Sequence, residues 1–169
     1  AKLLSLPSEN YLAEKMPVIN PSVIHQARVT LQQAIAHALN GFFAEQYAHN
    51  QSDSGDYVYN SVAIAARAWR ELCLHYLLVA VDDQTAQALA AQQYQQAQHM
   101  SDRMSALRGL VHSQASQAAE CLHDFYQHFE QEALVIDSWF AVQATNAQAS
   151  MSDIKALTEH QAFSLTNPN

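Results

Sequence analysis

The sequence predicts an all-α fold of successive antiparallel helical hairpins. Three observations carry this. Of 169 residues, 29 are Ala and 19 are Gln, both good helix formers, against 3 Gly and 4 Pro. Apolar residues recur at steps of three and four along most of the chain, and no strand alternation of useful length appears. The gaps between periodic segments are mostly about 2–6 residues, which favours antiparallel neighbours. The length suits one domain with a real core.

Each element has a start, a stripe and a stop. Leu6-Pro7-Ser8-Glu9-Asn10 is a stop and restart, with Ser8 an N-cap for a short helix ending near Met16. Asn20 caps the next helix, and Pro21 sits at its first position, where a missing N–H costs nothing. Ile24, Ala27, Leu31, Ile35, Ala38 and Phe42 then step as one stripe, predicting a long helix to about His49. Interior Gly41 suggests close helix packing. Ser52 to Asp56 is the clearest loop.

A helix from about Ser61 carries Val62, Ala66, Trp69, Cys73, Tyr76 and Ala80, and Asp82-Asp83 ends it. The following segment has Ala86, Leu89, Gln93 or Tyr94, and Ala97, is Gln-rich elsewhere, and is expected to be partly exposed. Ser101-Asp102 is expected to cap a helix with Met104, Leu107 and Val111, with Gly109 inside the run. Ser113 or Ser116 opens another with Ala115, Ala118, Leu122, Phe125 and Phe129. Leu134 to about Thr145 is compact and apolar, with Val135, Trp139 and Val142 on one side. Ser152-Asp153 caps a last helix to about His160, and Asn167-Pro168-Asn169 is a stop or turn. No strict repeat period appears, so a bundle and an irregular solenoid both fit.

Charge excludes several function classes. Eight basic residues against sixteen acidic give −8. The closest basic pairs, Arg67 with Arg70 and Arg103 with Arg108, are too few for a phosphate-binding surface, so no nucleic-acid partner is expected. Leu72 to Val81 is too short to span a bilayer, and the first residues do not form a signal peptide, so no membrane partner is expected. Cys73 and Cys121 are far apart, without a C-x-x-C, and read as small buried hydrophobes more readily than as a disulfide. A cytoplasmic setting follows.

No catalytic residue, cofactor-binding residue or metal ligand is assigned. Nine histidines are present, but no His-Glu-x-x-His segment pairs two imidazoles on one helical face. His123 and His128 are five apart, well round a helix from each other. Glu120-x-x-His123 is half of a di-iron motif that lacks its second half. No Gly-x-Ser-x-Gly elbow or phosphate loop occurs. Asp82-Asp83 suits capping, Glu130-x-Glu132 with Asp124 a solvated acidic face, and Trp69 and Trp139 core packing. On these grounds alone the chain is an all-α domain without a catalytic centre of its own.

Five segments, in order, carry a resemblance. They are Leu6-Pro7-Ser8-Glu9-Asn10 before the Pro-initiated helix, His99-Met100-Ser101-Asp102, Leu134-Val135-Ile136-Asp137-Ser138-Trp139-Phe140, Gln143-Ala144-Thr145, and Phe163-Ser164-Leu165-Thr166-Asn167-Pro168-Asn169. Together they resemble the C-terminal helical domain of the bacterial aminopeptidase N (alanyl aminopeptidase) family, zinc metallopeptidases of the M1 (gluzincin) type. Ala133 departs from it, where the family often has Gly. The resemblance implies an irregular superhelical, armadillo/HEAT-like array. It implies that residues 1–169 are one all-α segment of a larger C-terminal domain, truncated at both ends. The parent removes N-terminal residues from peptides. Its zinc and catalytic groups lie in a preceding domain, so this piece is expected to be inactive alone, with no cofactor of its own. The expected partners are that catalytic domain and, in the parent, peptide substrates. The implied role is to wall an internal cavity and limit access to it, and the acidic balance suits attraction of peptide amines. A cut array exposes apolar surface, so a weak homodimer of the piece is also expected. The alternative is a free-standing helical protein-binding module, which would need polar end-caps.

Overall fold

The computed structural model describes residues 4–50, 59–80 and 84–164. Among these it holds nine α-helices and no strand, as expected of an all-α chain. The expected loop at 52–56, the Asp82-Asp83 stop and the Asn-Pro-Asn end lie outside the described residues. The chain forms two compact units, Ala1–Ala86 and Gln87–Asn169.

In the first unit, α1 (Glu9–Ala13) is capped by Ser8, whose hydroxyl accepts from Tyr11 N–H at 3.2 Å. It ends earlier than the expected Met16, in tight turns from Lys15 to Leu12 and Met16 to Ala13. α2 (Pro21–Ala38) starts as the sequence indicates, with Asn20 accepting from Val23 N–H at 3.2 Å and Pro21 at its start. Arg28 binds α1 to α2, donating to Pro7 O at 2.8 Å and to Glu9 Oε1 at 3.3 Å.

The long helix expected to run to His49 is broken. Leu39 leaves helical geometry at φ −116°, ψ 17°, and α3 (Asn40–His49) begins anew. The break falls where Asn40 and Gly41, both weak helix formers, adjoin. It turns Phe43 rather than Phe42 into the core: Phe43 is fully buried and Phe42 is 43% exposed. Gly41 does not mark close packing, since a Cβ there would meet nothing within 4 Å.

α4 (Ser61–Val79) is capped by Asn60, which accepts from Val62 and Ala63 N–H. It packs on α2 and α3. The Phe43 ring stacks on Tyr76 at 4.7 Å between centroids, and Tyr76 donates to Leu4 O at 2.7 Å. Such a ring pair adds about 0.5–1.5 kcal/mol to its area burial. Trp69 Nε1 donates to Gln46 Oε1 at 3.2 Å, and the Arg70 guanidinium lies 4.5 Å from the Tyr47 ring centroid. Cys73, Leu74 and Leu77 complete the core, whereas Val62, expected inside, is 75% exposed.

The second unit holds most of α5 (Gln84–Gln96), and α6 (Met100–His112), α7 (Ala118–Phe129), α8 (Ala133–Ala144) and α9 (Met151–Thr158). α5 buries a narrow strip, Ala86, Ala90, Gln93 and Tyr94, and exposes Gln84, Gln92, Gln95 and Gln96, as its composition suggests, while half-buried Gln87 donates to Ser113 O at 3.2 Å. Gln93 donates to Asp102 O at 2.9 Å.

The expected cap Ser101-Asp102 is displaced. His99 occupies the cap position of α6, and Asp102 is buried in the first turn. α7 likewise starts at Ala118, after Ser113 and Ser116. The reason is a turn between them. Ala115 N–H bonds Leu110 O at 3.0 Å and Gln114 N–H bonds Val111 O at 3.3 Å, with Gln114 left-handed at φ 53°. This is the bond pair of a Schellman stop. α8 is anchored by Trp139, which donates to Leu122 O at 2.9 Å, and by His112 Nε2, which donates to Val142 O at 3.1 Å. At α9 the cap is Ser150, not Ser152-Asp153: Ser150 Oγ accepts from Asp153 N–H, and Asp153 accepts from Ser150 N–H at 2.8 Å.

No helix of the described residues is long and apolar enough to cross a membrane.

Candidate functional site

Cysteine chemistry is closed off. Cys73 and Cys121 are both free and buried. Burial pushes the Cys73 thiol up to about 11. Cys121 is also raised, by burial first and then by the Glu120 and Asp124 charges. Neither offers a thiolate at neutral pH. The histidines do not converge either. His123 is exposed on α7 with no bond to Glu120, and no group of three His, Cys, Asp or Glu among the described residues is placed to hold a metal.

The second unit nevertheless has a half-open recess of about 300 Å³ between α5, α6 and α7. α5 contributes Ala91, Tyr94 and Gln95, α6 contributes Arg103, and α7 contributes Glu120, Cys121, Asp124 and His128. The α7 residues share a face because 120, 124 and 128 step by four. This separates Asp124 from Glu130 and Glu132, with which the sequence grouped it; those two are exposed, while Asp124 turns to the recess.

Tyr94 is 3% exposed and forms the floor. Its hydroxyl lies 2.7 Å from Asp124 Oδ2 and 3.0 Å from Cys121 O, sharing one proton between them. Burial, then the bond to Asp124 and its charge, push the phenol far above its ordinary range. It stays a donor at any working pH. His128 Nδ1 lies 2.8 Å from the Asp124 carbonyl oxygen and 3.2 Å from Asp124 Oδ1. A carbonyl cannot donate, so that nitrogen carries the hydrogen.

The cationic wall is Arg103. One Nη donates to Ala97 O at 3.1 Å, and the guanidinium carbon lies 5.7 Å from the Tyr94 ring centroid and 5.9 Å from that of Phe129. Among the described residues no carboxylate pairs with it. The Glu120 side chain, exposed on the rim, makes no hydrogen bond or ion pair among the described residues. Sequence reasoning assigned none of these groups. Only the α7 spacing was visible there; Tyr94 and Arg103 come from other helices.

Comparison with known proteins gives concordant results. The chain is 30% identical over its full length to aminopeptidase N of Escherichia coli, and 33% identical over 99% of its length to that of Haemophilus influenzae. It spans only 19% of either relative. Its fold matches a crystal structure of Legionella pneumophila aminopeptidase A in complex with aspartic acid, with a TM-score of 0.81 and 26% identity over 99% of this chain and 20% of that one. A family model for ARM repeats, described as a domain of unknown function, matches residues 1–169. The chain therefore belongs to the DUF3458_C family of ARM-repeat domains.

Proposed function

We propose that this chain is a non-catalytic slice of the C-terminal helical domain of a bacterial, cytoplasmic zinc aminopeptidase. It walls the enzyme's internal cavity and limits which peptides reach the zinc. The carrying observation is the match over 99–100% of this chain to 19% of two aminopeptidases. Among the described residues the donor groups do not suit zinc, since no three of His, Cys, Asp or Glu are placed to hold one ion. Zinc and hydrolysis are thus assigned to the rest of the polypeptide, which is also this chain's partner.

A second feature supports a slice over a free-standing module. On α2, Val23, Ala27, Leu31, Ala34 and Ala38 form an exposed apolar stripe, with Val23 56% and Leu31 49% exposed. A free-standing array needs polar outer faces instead. The test is hydrolysis of an alanyl chromogenic substrate. The whole polypeptide should turn it over and lose activity to a chelator, while the 169-residue chain should show none. Turnover by the purified chain, or a parent without peptidase activity, overturns the proposal.

A further inference from the structure

We propose that the recess between α5, α6 and α7 is a binding site for a small zwitterion, a dipeptide or free α-amino acid. Three features carry this. First, opposite charges line one cavity without neutralising each other: among the described residues Arg103 has no carboxylate partner and Glu120 has no cation partner. A ligand with both an ammonium and a carboxylate completes both walls. A simple anion would leave Glu120 and Asp124 facing it, and a simple cation would leave Arg103.

Second, the floor is built rather than incidental. Tyr94 is buried and its hydroxyl holds Asp124 Oδ2 at 2.7 Å, while His128 stands 3.2 Å from Oδ1. These contacts fix Asp124 at the recess, and Tyr94 with Phe129 fixes the guanidinium. Fixed charges lose little freedom on binding, which favours affinity. Third, the volume of about 300 Å³ lies at the small end of ligand sites, suiting a dipeptide better than a folded partner. The ligand carboxylate faces Arg103, its ammonium faces Glu120 and Asp124, and its side chains lie over Ala91 and the Tyr94 ring. The link to catalysis rests on the reading above: amino acids and short peptides are what an aminopeptidase releases. The binding claim does not depend on that reading.

The test is a calorimetric titration of the 169-residue chain with L-alanyl-L-alanine, which the chain is not expected to cleave. One-to-one binding is expected. N-acetylation or C-terminal amidation of the dipeptide should each weaken it about tenfold, because each removes a charge-assisted contact. Glu120→Gln should weaken the free dipeptide similarly while leaving the unfolding temperature unchanged, since its side chain is exposed. Absence of binding, equal binding of the blocked dipeptides, or an unaffected Glu120→Gln variant would overturn the site. Peptidase activity of the parent is a separate measurement, so the two readings fail separately.

Discussion

At the residue scale, Gln114 is a place where the chain is held against its own preference. It adopts φ 53° to let the Ala115 N–H reach Leu110 O and close α6. A side chain in this region costs roughly 1–2 kcal/mol, and Gly is the usual solution. Gln114→Gly should therefore raise stability, by about 0.5–1 kcal/mol after its extra unfolded-state entropy is deducted. Urea melts of both proteins measure this, and a loss of stability would contradict it. The same residue shows why single positions were poorly legible. A Gly at 114 would have announced the stop, whereas Gln gives no signal, so Ser113 and Ser116 looked like the natural helix start. Phe42 and Phe43 present the same difficulty, because adjacent rings both fit a stripe until the break at Leu39 selects one.

At the scale of elements, the existence and order of the helices were legible and several caps were not. Ser8, Asn20 and Pro21 stand where their capping chemistry places them. At α9 two hydroxyls compete, and Ser150 wins over Ser152 because only it stands three residues before Asp153, the spacing of a capping box. The box has a consequence in pH. The bonds from Ser150 hold the Asp153 carboxyl below its ordinary value of 3.8. A carboxyl lowered in the folded state stabilises α9 above its unfolded pKa, and that contribution is lost as pH falls through the folded value. The helical Cα shifts of α9 should weaken as pH drops below 3.8. Asp153→Asn should abolish that step and leave α7 unchanged, as NMR titration would show. Shifts in α9 that hold constant to the acid limit of the titration would rule out the box as the source of order.

At the scale of the whole molecule, periodicity disclosed apolar stripes but not what covers them. The recess was illegible for the same reason: Tyr94, Arg103 and Asp124 belong to three helices, and no spacing within one helix brings them together. On α2 the predicted stripe divides. Ile24 is buried, while Leu31, Ala27 and Ala38 remain exposed. Evolutionary relatives about five times longer give this a physical meaning, since each repeat of an array needs a neighbour on either side. The outward stripe should therefore be covered in the whole polypeptide and uncovered in the 169-residue chain. Hydroxyl-radical footprinting of both should show Val23 and Leu31 oxidised in the short chain and protected in the long one. In the short chain the same surface should drive weak, concentration-dependent dimerisation, visible by light scattering and removed by Leu31→Glu. That variant should keep its helical content, because Leu31 is half exposed already. Equal oxidation of Val23 and Leu31 in both chains would show that the stripe has no neighbour, and would return the free-standing module to consideration.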